Sequence, residues 1–399
     1  MTNSDVAGRF SISNLPKSFI KFLEDNEIDP SVYCVNNLPR YIRLTGPLQQ
    51  QLTLKELHEQ FNGPVLPVDG IDNFFRIDAK EKIVDCQTYK DGKIFGMDLS
   101  SGMAVYSLDI KPDDHILDLC CAPGAKLCMI ADLLANQGGI GTVTGVDISN
   151  HRASICKNLL KKYKVNRARI FVADGTQFSV MAPSYLEPLK RLVEANNRKN
   201  DANKKEEQRQ QTKKYNNDER LETELMDSRK SDVKRSPIIR PFWAPQILRS
   251  DPQIINEKYL YDKVIVDAEC THDGSIAHIL KYEKWGWDAF EKNFMNPDRI
   301  NNLWDLQRKL IINAWNLLKT GGILVYSTCS LSRKQNEDVI GWFLSEHMND
   351  AILEPIPSIG TLKTAPLRNN NNIDISNAVR FDPLISNTSG FFVARIRKQ

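Results

Sequence analysis

The central and C-terminal parts of the chain alternate short apolar runs with longer segments of helical periodicity. The apolar runs predict strands at residues 115–121, 141–147, 169–173, 263–267, 323–328 and 391–397. Apolar positions three and four apart predict helices at residues 125–136, 149–163 and 297–319, and a further helix that starts at Ser332. Gln335 lies three positions after Ser332, which is the spacing of a capping box. This alternation is typical of an α/β fold with a doubly wound, mostly parallel sheet.

The first 95 residues follow a different pattern. Short mixed segments at residues 19–24, 41–44, 54–60 and 74–76 indicate a small α+β unit ahead of the main sheet. We therefore divide the chain into an N-terminal α+β domain at 1–95 and a larger α/β domain at 96–399.

A charged segment interrupts the larger domain. Residues 190–235 alone contain 14 Lys/Arg and 10 Asp/Glu. A segment of this composition cannot bury enough apolar surface to offset its chain entropy. We expect residues 189–236 to be a disordered insertion, and a solvated loop without a role of its own is the simplest interpretation.

Composition adds coarse limits. The chain has 399 residues, 41% of them hydrophobic, which is enough for a sizeable core. We find neither a secretory signal nor an apolar run long enough to span a bilayer, so we expect an intracellular protein, nuclear or cytoplasmic, without membrane contact. The net charge of +3 is concentrated in residues 190–235 and does not by itself indicate nucleic acid.

The cysteines lack the spacing of a structural framework. None forms a paired CxxC motif, which argues against disulfides and against a zinc site, so we expect no metal. Reactive cysteines must therefore be identified from their surroundings. The eight lie at positions 34, 86, 120, 121, 128, 156, 270 and 329.

Acidic residues follow successive strands of the predicted sheet. The first strand leads into residues 120–126, where Gly124 and small neighbours allow a ligand to approach the backbone and the next helix N-terminus. Asp147 ends the second strand, where a carboxylate can bind ribose hydroxyls, and Asp174 follows the third, where one can accept from an adenine amino group. Each acid alone is more often a turn or helix cap. Together they favour an adenosine site without a triphosphate, and S-adenosylmethionine fits best.

Two strands also deliver a cysteine to the same edge of the sheet, Cys270 shortly after Asp267 and Cys329 after the strand at 323–328. A thiolate that adds to carbon 6 of a pyrimidine makes carbon 5 nucleophilic, an acid near ring nitrogen 3 assists, and a second base removes the carbon 5 proton. A buried structural thiol is the ordinary interpretation of either cysteine alone. Two of them beside a methyl-donor site favour catalysis.

Five short segments of the chain, LDLCCAPGAK, VDISNHR, VADG, VDAEC and YSTCS, resemble the motifs of the Nop/Sun family of RNA cytosine-5 methyltransferases. The resemblance covers residues 95–399 without the insertion. It implies a Rossmann-like methyltransferase fold that binds S-adenosylmethionine and forms 5-methylcytosine in tRNA or rRNA, with RNA binding as the family role of the N-terminal unit. The five motifs follow one another in this order along the chain.

The resemblance also implies roles for individual residues. Cys329 is implied as the nucleophile, Cys270 as the residue that helps resolve the covalent adduct, and Asp267 as a contact to the methionine end of the donor or to the base. The implied donor-binding residues are Cys120, Cys121, Ala122, Pro123, Gly124, Ala125, Lys126, Asp147, Arg152, Asp174 and Asp267.

Two positions depart from the family pattern. Ala125 replaces a glycine, which is tolerable if Ala125 is helical. Glu269 replaces the proline before Cys270, which restores an amide donor and adds a charge beside the base. Glu269 either turns to solvent or shares in proton handling at ring nitrogen 3.

Several alternatives stay open. His272 could line the pocket or lower a thiol pKa, but a loop histidine is more often a surface polar residue. Trp285, Trp287 and Phe290, with lysines close by, either stack on RNA or belong to the core. We expect a monomer. Besides an RNA cytosine-5 methyltransferase, we consider two other functions, an RNA uracil-5 methyltransferase and an RNA-binding assembly factor with altered catalysis.

Overall fold

A computed structural model of the chain describes residues 11–35, 37–48, 51–183, 239–249, 255–357, 359–360, 362–368 and 373–399. The charged insertion predicted at residues 189–236 lies outside these described residues. Within them, no helix has both the length and the apolar character needed to cross a membrane.

The described N-terminal residues contain an antiparallel sheet of four strands in the order β2-β3-β1-β4. Its strands are β1 (Arg40–Leu44), β2 (Leu66–Pro67), β3 (Phe74–Ile77) and β4 (Ile94–Gly96). Its helices are α1 (Lys17–Asp25), α2 (Leu54–His58) and α3 (Gln87–Lys90). The predicted α+β character of this part of the chain is confirmed.

The main sheet of the described residues has the order β10-β12-β9-β8-β5-β6-β7, with β11 paired to β12. Neighbours from β7 to β9 are parallel, whereas β12 runs antiparallel to β9. The predicted doubly wound, mostly parallel sheet is therefore confirmed. Its strands are β5 (His115–Asp118), β6 (Thr142–Asp147), β7 (Ala168–Val172), β8 (Tyr261–Asp267), β9 (Leu318–Thr328), β10 (Ala351–Glu354), β11 (Val379–Phe381) and β12 (Phe391–Lys398).

Helices cover both faces of this sheet. On one face, Ile265 of β8 packs with α4 (Leu99–Tyr106), α5 (Ala125–Gln137) and α6 (Asn150–Lys162). On the opposite face, Val264 and Val266 pack with α11 (Pro297–Leu317) and α12 (Glu337–Glu346). Successive strand side chains point to opposite faces, which explains why a strand buried on both sides is continuously apolar. The helices of the described part are α4 (Leu99–Tyr106), α5 (Ala125–Gln137), α6 (Asn150–Lys162), α7 (Gln246–Arg249), α8 (Ile276–Ile279), α9 (Tyr282–Trp285), α10 (Trp287–Phe294), α11 (Pro297–Leu317), α12 (Glu337–Glu346) and α13 (Pro383–Ser386).

The helix start predicted at Ser332 is wrong. A 3-10 turn occupies Arg333–Gln335, and α12 begins at Glu337. The side chain of Ser332 makes no capping bond. Instead, the Gln335 side-chain amide is buried and donates to Thr271 Oγ1 at 2.8 Å. The capping signal fails because tertiary hydrogen bonds to another loop compete for the same side chain.

The N-terminal helix α1 packs on the other domain rather than on the small sheet. Phe19 of α1 shares a buried cluster with Ile276 and Phe290, and the rings of Phe19 and Phe290 lie 4.9 Å apart. Tyr33 donates a hydrogen bond of 2.7 Å to the carbonyl of Asp273. The domain boundary at residue 95 stays a prediction.

A buried ion pair joins β11 to the start of α12. Arg380 and Glu337 are 2% and 0% exposed at their side chains, and the guanidinium donates from Nε at 3.0 Å and Nη2 at 2.7 Å to Glu337 Oε1. Nη1 of Arg380 donates to the carbonyl of Leu331 at 2.8 Å. Removing one partner of such a pair leaves an uncompensated buried charge, which is more costly than the absence of both.

We expect Arg380→Met to lower the free energy of unfolding by about 3–5 kcal/mol, because the Glu337 carboxylate stays buried without its cation. Urea unfolding measures the loss. Lys21→Met is the control, since it breaks the exposed pair of Lys21 with Asp25 and should cost less than about 1 kcal/mol. Equal losses in the two variants would contradict this account.

Candidate functional site at the carboxyl edge of the main sheet

The turn after β5 packs its backbone closely on α6 at Gly124. Gly124 has a φ of +105° and caps α5, and a Cβ on it would lie 3.3 Å from Cys156 Cα. A glycine is therefore required there. Ala125 is the first residue of α5, so the alanine is helical, the condition under which it replaces the family glycine. Cys121 and Ala122 are buried, Cys120 is half-buried and Pro123 is exposed.

Asp147 and Arg152 lie against this turn. The buried Asp147 carboxylate accepts hydrogen bonds from Ser149 N at 2.9 Å and from Ala122 N at 3.3 Å. Arg152 Nη2 donates to the Ala122 carbonyl at 2.9 Å and lies 3.8 Å from Asp147. A carboxylate has about four acceptor positions, so Asp147 keeps capacity for further donors such as ribose hydroxyls.

Asp174 serves its own loop. Its Oδ1 accepts from the backbone and hydroxyl of Thr176 at 2.9 and 2.8 Å. Its Oδ2 is 3.4 Å from Gln177 Nε2. The turn-cap interpretation is therefore correct for Oδ1, while the weakly engaged Oδ2 can still accept from a ligand. Among the described residues, no hydrogen bond or ion pair joins Asp174 to the other candidate donor-binding side chains.

Asp267 connects the turn after β5 with β8 and β9. Lys126 Nζ donates to Asp267 Oδ2 at 2.7 Å, and Ser327 Oγ donates to Oδ1 at 2.8 Å. Asp267 and Ser327 are paired residues of adjacent parallel strands. The structure thus brings together Lys126 and Asp267, which are 141 positions apart.

Asp118, the last residue of β5, lies within the motif LDLCCAPGAK, but no role was predicted for it. It is 1% exposed, and within the part of the chain that the structure describes neither carboxylate oxygen has a hydrogen-bond partner. Burial, together with the charge of Asp267 and against the opposing charge of Lys126, raises the pKa of Asp118 to about 8. An isolated acid inside the apolar run Ile116 to Leu119 was the signal that could have identified it.

The two candidate thiols meet. Cys270 Sγ lies 3.3 Å from Cys329 Sγ, with Cys270 buried and Cys329 half-buried. The hydrogen bond from the Cys270 thiol, and then the nearby His272, hold the pKa of Cys329 well below its usual range despite burial. Burial and the charge on Cys329 raise the pKa of Cys270. Of the two sulfurs, Cys329 is therefore the one whose surroundings favour the thiolate form.

His272, for which the sequence favoured a surface position, lies in this site. Its Nδ1 is 3.0 Å from Cys329 Sγ and 3.8 Å from Cys270 Sγ. The Cys329 sulfur raises the pKa of His272. Sequence periodicity carries no information about the direction of a loop side chain, so the only available signal was its position two residues after a strand-end cysteine.

The two sulfurs and the His272 Nδ1 all lie within 4.8 Å of one another. Bond lengths at a tetrahedral zinc ion would hold ligand atoms roughly 3.5–3.8 Å apart. The distances of 3.3 Å between the sulfurs and 3.0 Å between Cys329 and His272 are shorter and match hydrogen bonds. The geometry favours thiol chemistry, and we assign no metal to this cluster.

Glu269 lies between two guanidinium groups. Its Oε1 is 2.9 Å from Arg299 Nη2, and its Oε2 is 3.7 Å from Arg152 Nη1. Arg299 also donates to the Cys270 carbonyl at 2.7 Å, and Gln307 donates to the Glu269 carbonyl at 2.8 Å. Glu269 is 38% exposed at its side chain but is not a free solvent-facing residue. It links the donor side of the site, through Arg152, to the loop that carries Cys270.

A buried carboxylate holds the thiol loops together. Asp273 accepts from Ser330 Oγ and Leu331 N, each at 2.7 Å, and from Thr271 Oγ1. Gly274 packs so closely that a Cβ would lie 2.5 Å from the Gly390 carbonyl oxygen. The loops after β8 and β9 are thus fixed against each other beside the two sulfurs.

The aromatic group after β8 divides between core and surface. Phe290 is fully buried, Trp287 is half-buried and Trp285 is 60% exposed. Lys281 Nζ lies 5.8 Å from the centre of the Trp285 ring. The core interpretation is therefore correct for Phe290, whereas Trp285 is available at the surface.

Several known RNA methyltransferases are similar to this chain. The chain is 25% identical over 326 residues to a probable ribosomal RNA small subunit methyltransferase B of Bacillus subtilis, covering 80% of this chain and 51% of that protein. It is 23% identical over 365 residues to a tRNA (cytosine(49)-C(5))-methyltransferase of Pyrococcus abyssi, covering 89% and 86%. A plant rRNA (cytosine-C(5))-methyltransferase, NOP2C of Arabidopsis thaliana, is 23% identical over 74% of this chain and 49% of its own length. The chain thus spans about half the length of the bacterial and plant relatives.

Solved structures share the fold. The structure of NSun6 from Pyrococcus horikoshii with SFG superposes with a TM-score of 0.61 at 16% identity, covering 97% of this chain and 99% of that one. A methyltransferase homologue from the same organism gives a TM-score of 0.59 at 21% identity, covering 98% and 100%. The family model described as 16S rRNA methyltransferase RsmB/F matches residues 105–234 and 202–397. Because this match covers well over half of its residues, the chain belongs to the RsmB/F family of methyltransferases, within the Nop/Sun group.

Proposed function

We propose that this chain transfers a methyl group from S-adenosylmethionine to carbon 5 of a cytosine in RNA, either tRNA or rRNA. The observation that carries the proposal is the pair of sulfurs 3.3 Å apart at the carboxyl edge of the sheet. The lowered pKa of Cys329 and the raised pKa of Cys270 support it. The relatives named as cytosine methyltransferases of rRNA or tRNA support it.

Cys329 is the nucleophile in this proposal. Its thiolate adds to carbon 6, and the π electron pair of the carbon 5–carbon 6 double bond moves to carbon 5. Carbon 5 then forms a bond to the sulfonium methyl group. The donor supplies an electrophilic methyl group and leaves as a neutral thioether. Cys329 is half-buried while Cys270 is buried, so Cys329 is the more accessible sulfur for a base.

Cys270 is the base in the second step. Once Cys329 is bonded to carbon it no longer carries a negative charge, so one cause of the raised Cys270 pKa is lost. Cys270 then gives its thiol proton to solvent and takes the proton from carbon 5, and the released electron pair expels the Cys329 thiolate. The cycle restores both sulfurs and releases one proton, which balances transfer of a methyl cation to a neutral ring.

The donor fits the acids at the strand ends. Asp147 is assigned to the ribose hydroxyls, Asp174 Oδ2 to the adenine amino group, and the pair of Lys126 with Asp267 to the methionine end. Asp118 supports this fit, because a buried acid without hydrogen-bond partners among the described residues is suited to a site that receives a cation.

A cleft lies between the small sheet and the loop and helix that follow β8. A cavity of about 550 Å³ lies between the small sheet and α8, lined in part by Arg40, Tyr41, Asp98, Ile276 and Ser389. Ser389 precedes the glycine that packs on the thiol loop. None of the candidate catalytic or donor-binding residues lines this cavity, so it carries no argument about the acceptor.

We expect Cys329→Ala to abolish transfer of labelled methyl groups to RNA, because the nucleophile is lost. Cys270→Ala should lower turnover and accumulate a covalent protein–RNA adduct, because the carbon 5 proton is not removed. Denaturing gel electrophoresis and nucleoside analysis measure both effects. Cys86→Ala, in the N-terminal sheet region, is the control and should retain activity.

The same assay separates the alternatives. Label on uracil would replace the cytosine proposal with a uracil-5 methyltransferase. RNA binding by the unaltered chain without any transfer of label would overturn the enzymatic proposal in favour of an RNA-binding assembly factor.

We expect donor binding to release a proton from Asp118. Its pKa of about 8 keeps it mostly protonated at neutral pH, and a cationic donor favours the ionised form and lowers that pKa. Isothermal titration calorimetry in buffers of different ionisation enthalpy should report up to about one proton released at pH 7, fewer above pH 8, and none in Asp118→Asn. Equal proton release by Asp118→Asn and the unaltered chain would assign the proton to another group.

Glu269→Gln distinguishes ion pairing from proton handling. Loss of the pairs with Arg299 and Arg152 should lower methyl transfer by about threefold to tenfold, because partly exposed pairs contribute about 1 kcal/mol. The reduction should be the same at every pH, measured as a pH–rate profile. A reduction that changes with pH would support proton handling, and an unchanged rate at every pH would exclude both roles. The exposed Glu59 provides the control variant Glu59→Gln.

A further inference from the structure

We propose that His272 accepts the proton of Cys329 and holds its sulfur as a thiolate in an imidazolium–thiolate pair. This inference deepens the proposed function and rests on it for the role of Cys329. His272 is a catalytic residue in this proposal because its ring contacts the reacting sulfur atom.

The contact between ring and sulfur carries the inference. His272 Nδ1 lies 3.0 Å from Cys329 Sγ, the shortest of the distances that join the two sulfurs and the ring. An N–H donor at this distance forms a charge-assisted hydrogen bond to a thiolate. The ring packs edge-on to Phe294 with centroids 5.6 Å apart, which restricts its rotation. The imidazole is thus held against the nucleophile.

The backbone of the loop is built to direct this side chain. His272 has a φ of +57°, a left-handed conformation that is uncommon for any residue other than glycine and costs roughly 1 kcal/mol or more. Its neighbours Thr271 and Asp273 are completely buried and hydrogen-bonded to the loop after β9. These bonds hold the residue in its strained conformation and turn its ring toward Cys329.

The charges around the pair have consistent directions. The Cys329 sulfur is the largest cause of the raised His272 pKa, with a smaller contribution from Glu269 and an opposing one from Arg299. For Cys329, the hydrogen bond from Cys270 is the largest cause of the lowered pKa, and the positive charge of His272 follows. Of the other groups nearby, burial, Lys281 and then His272 lower the pKa of His278, which Cys329 opposes. Burial, Cys329 and then Asp273 raise the pKa of Cys270. The pKa values of Cys329 and His272 change in the directions expected of one shared proton.

The proton transfer balances without a further reactant. The S–H bond of Cys329 breaks and an N–H bond forms on His272, so the pair is neutral overall before and after. When Cys329 bonds to the pyrimidine, its negative charge passes to the ring and the imidazolium remains 3.8 Å from Cys270 Sγ. His272 then favours the thiolate form of Cys270, which the second step requires.

Alkylation of Cys329 by iodoacetamide tests the proposal without RNA or donor. The reaction is followed against pH with a chelator present, and peptide mass analysis separates Cys329 from the other cysteines. His272→Asn is the main variant, because asparagine adopts left-handed backbone readily, and thermal unfolding checks that it folds. His278→Gln is the matched control, since His278 packs on the same Phe294 ring, 5.9 Å away between centroids, and belongs to α8 rather than to the thiol loops.

The unaltered chain should alkylate at Cys329 well below the usual thiol pKa, because the thiolate forms above the lowered pKa of Cys329. The imidazolium–thiolate pair then persists up to the raised pKa of His272. His272→Asn should move the midpoint upward and slow alkylation near pH 6, by about tenfold for every pH unit that the midpoint rises. His278→Gln should leave the profile unchanged. Added imidazole should restore part of the low-pH rate to His272→Gly, whose glycine suits the backbone and leaves space for the ring.

A Cys329 profile in folded His272→Asn that superposes on that of the unaltered chain would overturn the proposal and leave Cys270 as the cause of ionisation. Failure of the proposed function is distinguishable, because it would appear as absence of methyl transfer with the alkylation profiles unaffected. If methyl transfer occurs, His272→Asn should reduce it most at low pH, and the rate should recover as pH rises.

Discussion

The site depends on the hydrogen bonds that the buried carboxylate of Asp273 accepts. Asp273 accepts hydrogen bonds from Ser330 and Leu331 in the loop after β9, while its own backbone carbonyl accepts from Tyr33 near the N-terminus. Burial raises the pKa of Asp273 even though these donors oppose the change. A carboxyl group removed from water is stable only when its acceptors are engaged. The two loops therefore cannot separate without leaving Asp273 unsatisfied, and their closeness keeps the two sulfurs in contact.

Two sets of side-chain contacts connect this rigid pair of loops with the helices α5 and α6. One runs from Lys126 to Asp267 and on to Ser327. The other runs from Arg152 to Glu269 and Arg299, whose guanidinium also reaches the Cys270 carbonyl. Both sets reach β8 and the loop after it. A proline at position 269 would lack the carboxylate that pairs with Arg152 and Arg299.

Residues of this site that are placed by the end of a strand could be predicted from the sequence. Residues that are placed by contacts between loops could not. The nearness of Cys270 and Cys329 was predictable, because each follows an apolar run and parallel strands end at one edge. Gly124 was predictable because the turn from β5 into the next helix needs a glycine. The roles of His272, Gln335 and Asp118 were not predictable, since they depend on which loops face each other. Gln335 shows the limit clearly: its local spacing predicts a helix cap, but a contact with Thr271, 64 positions away, determines its conformation.

The position of β12 has a consequence for the order in which the site forms. This last strand of the main sheet inserts between β9 and β10, and Gly390 just before it donates to the Gly274 carbonyl at 2.8 Å. The loops around the sulfurs are therefore completed by residues far apart in the chain, Tyr33 and Gly390. Contacts of such long sequence separation form late in folding, after the loop-closure entropy has been overcome. During synthesis the loop after β8 cannot receive its hydrogen bond from Gly390 until the chain has been made as far as β12, so the loops around the sulfurs stay incomplete until then.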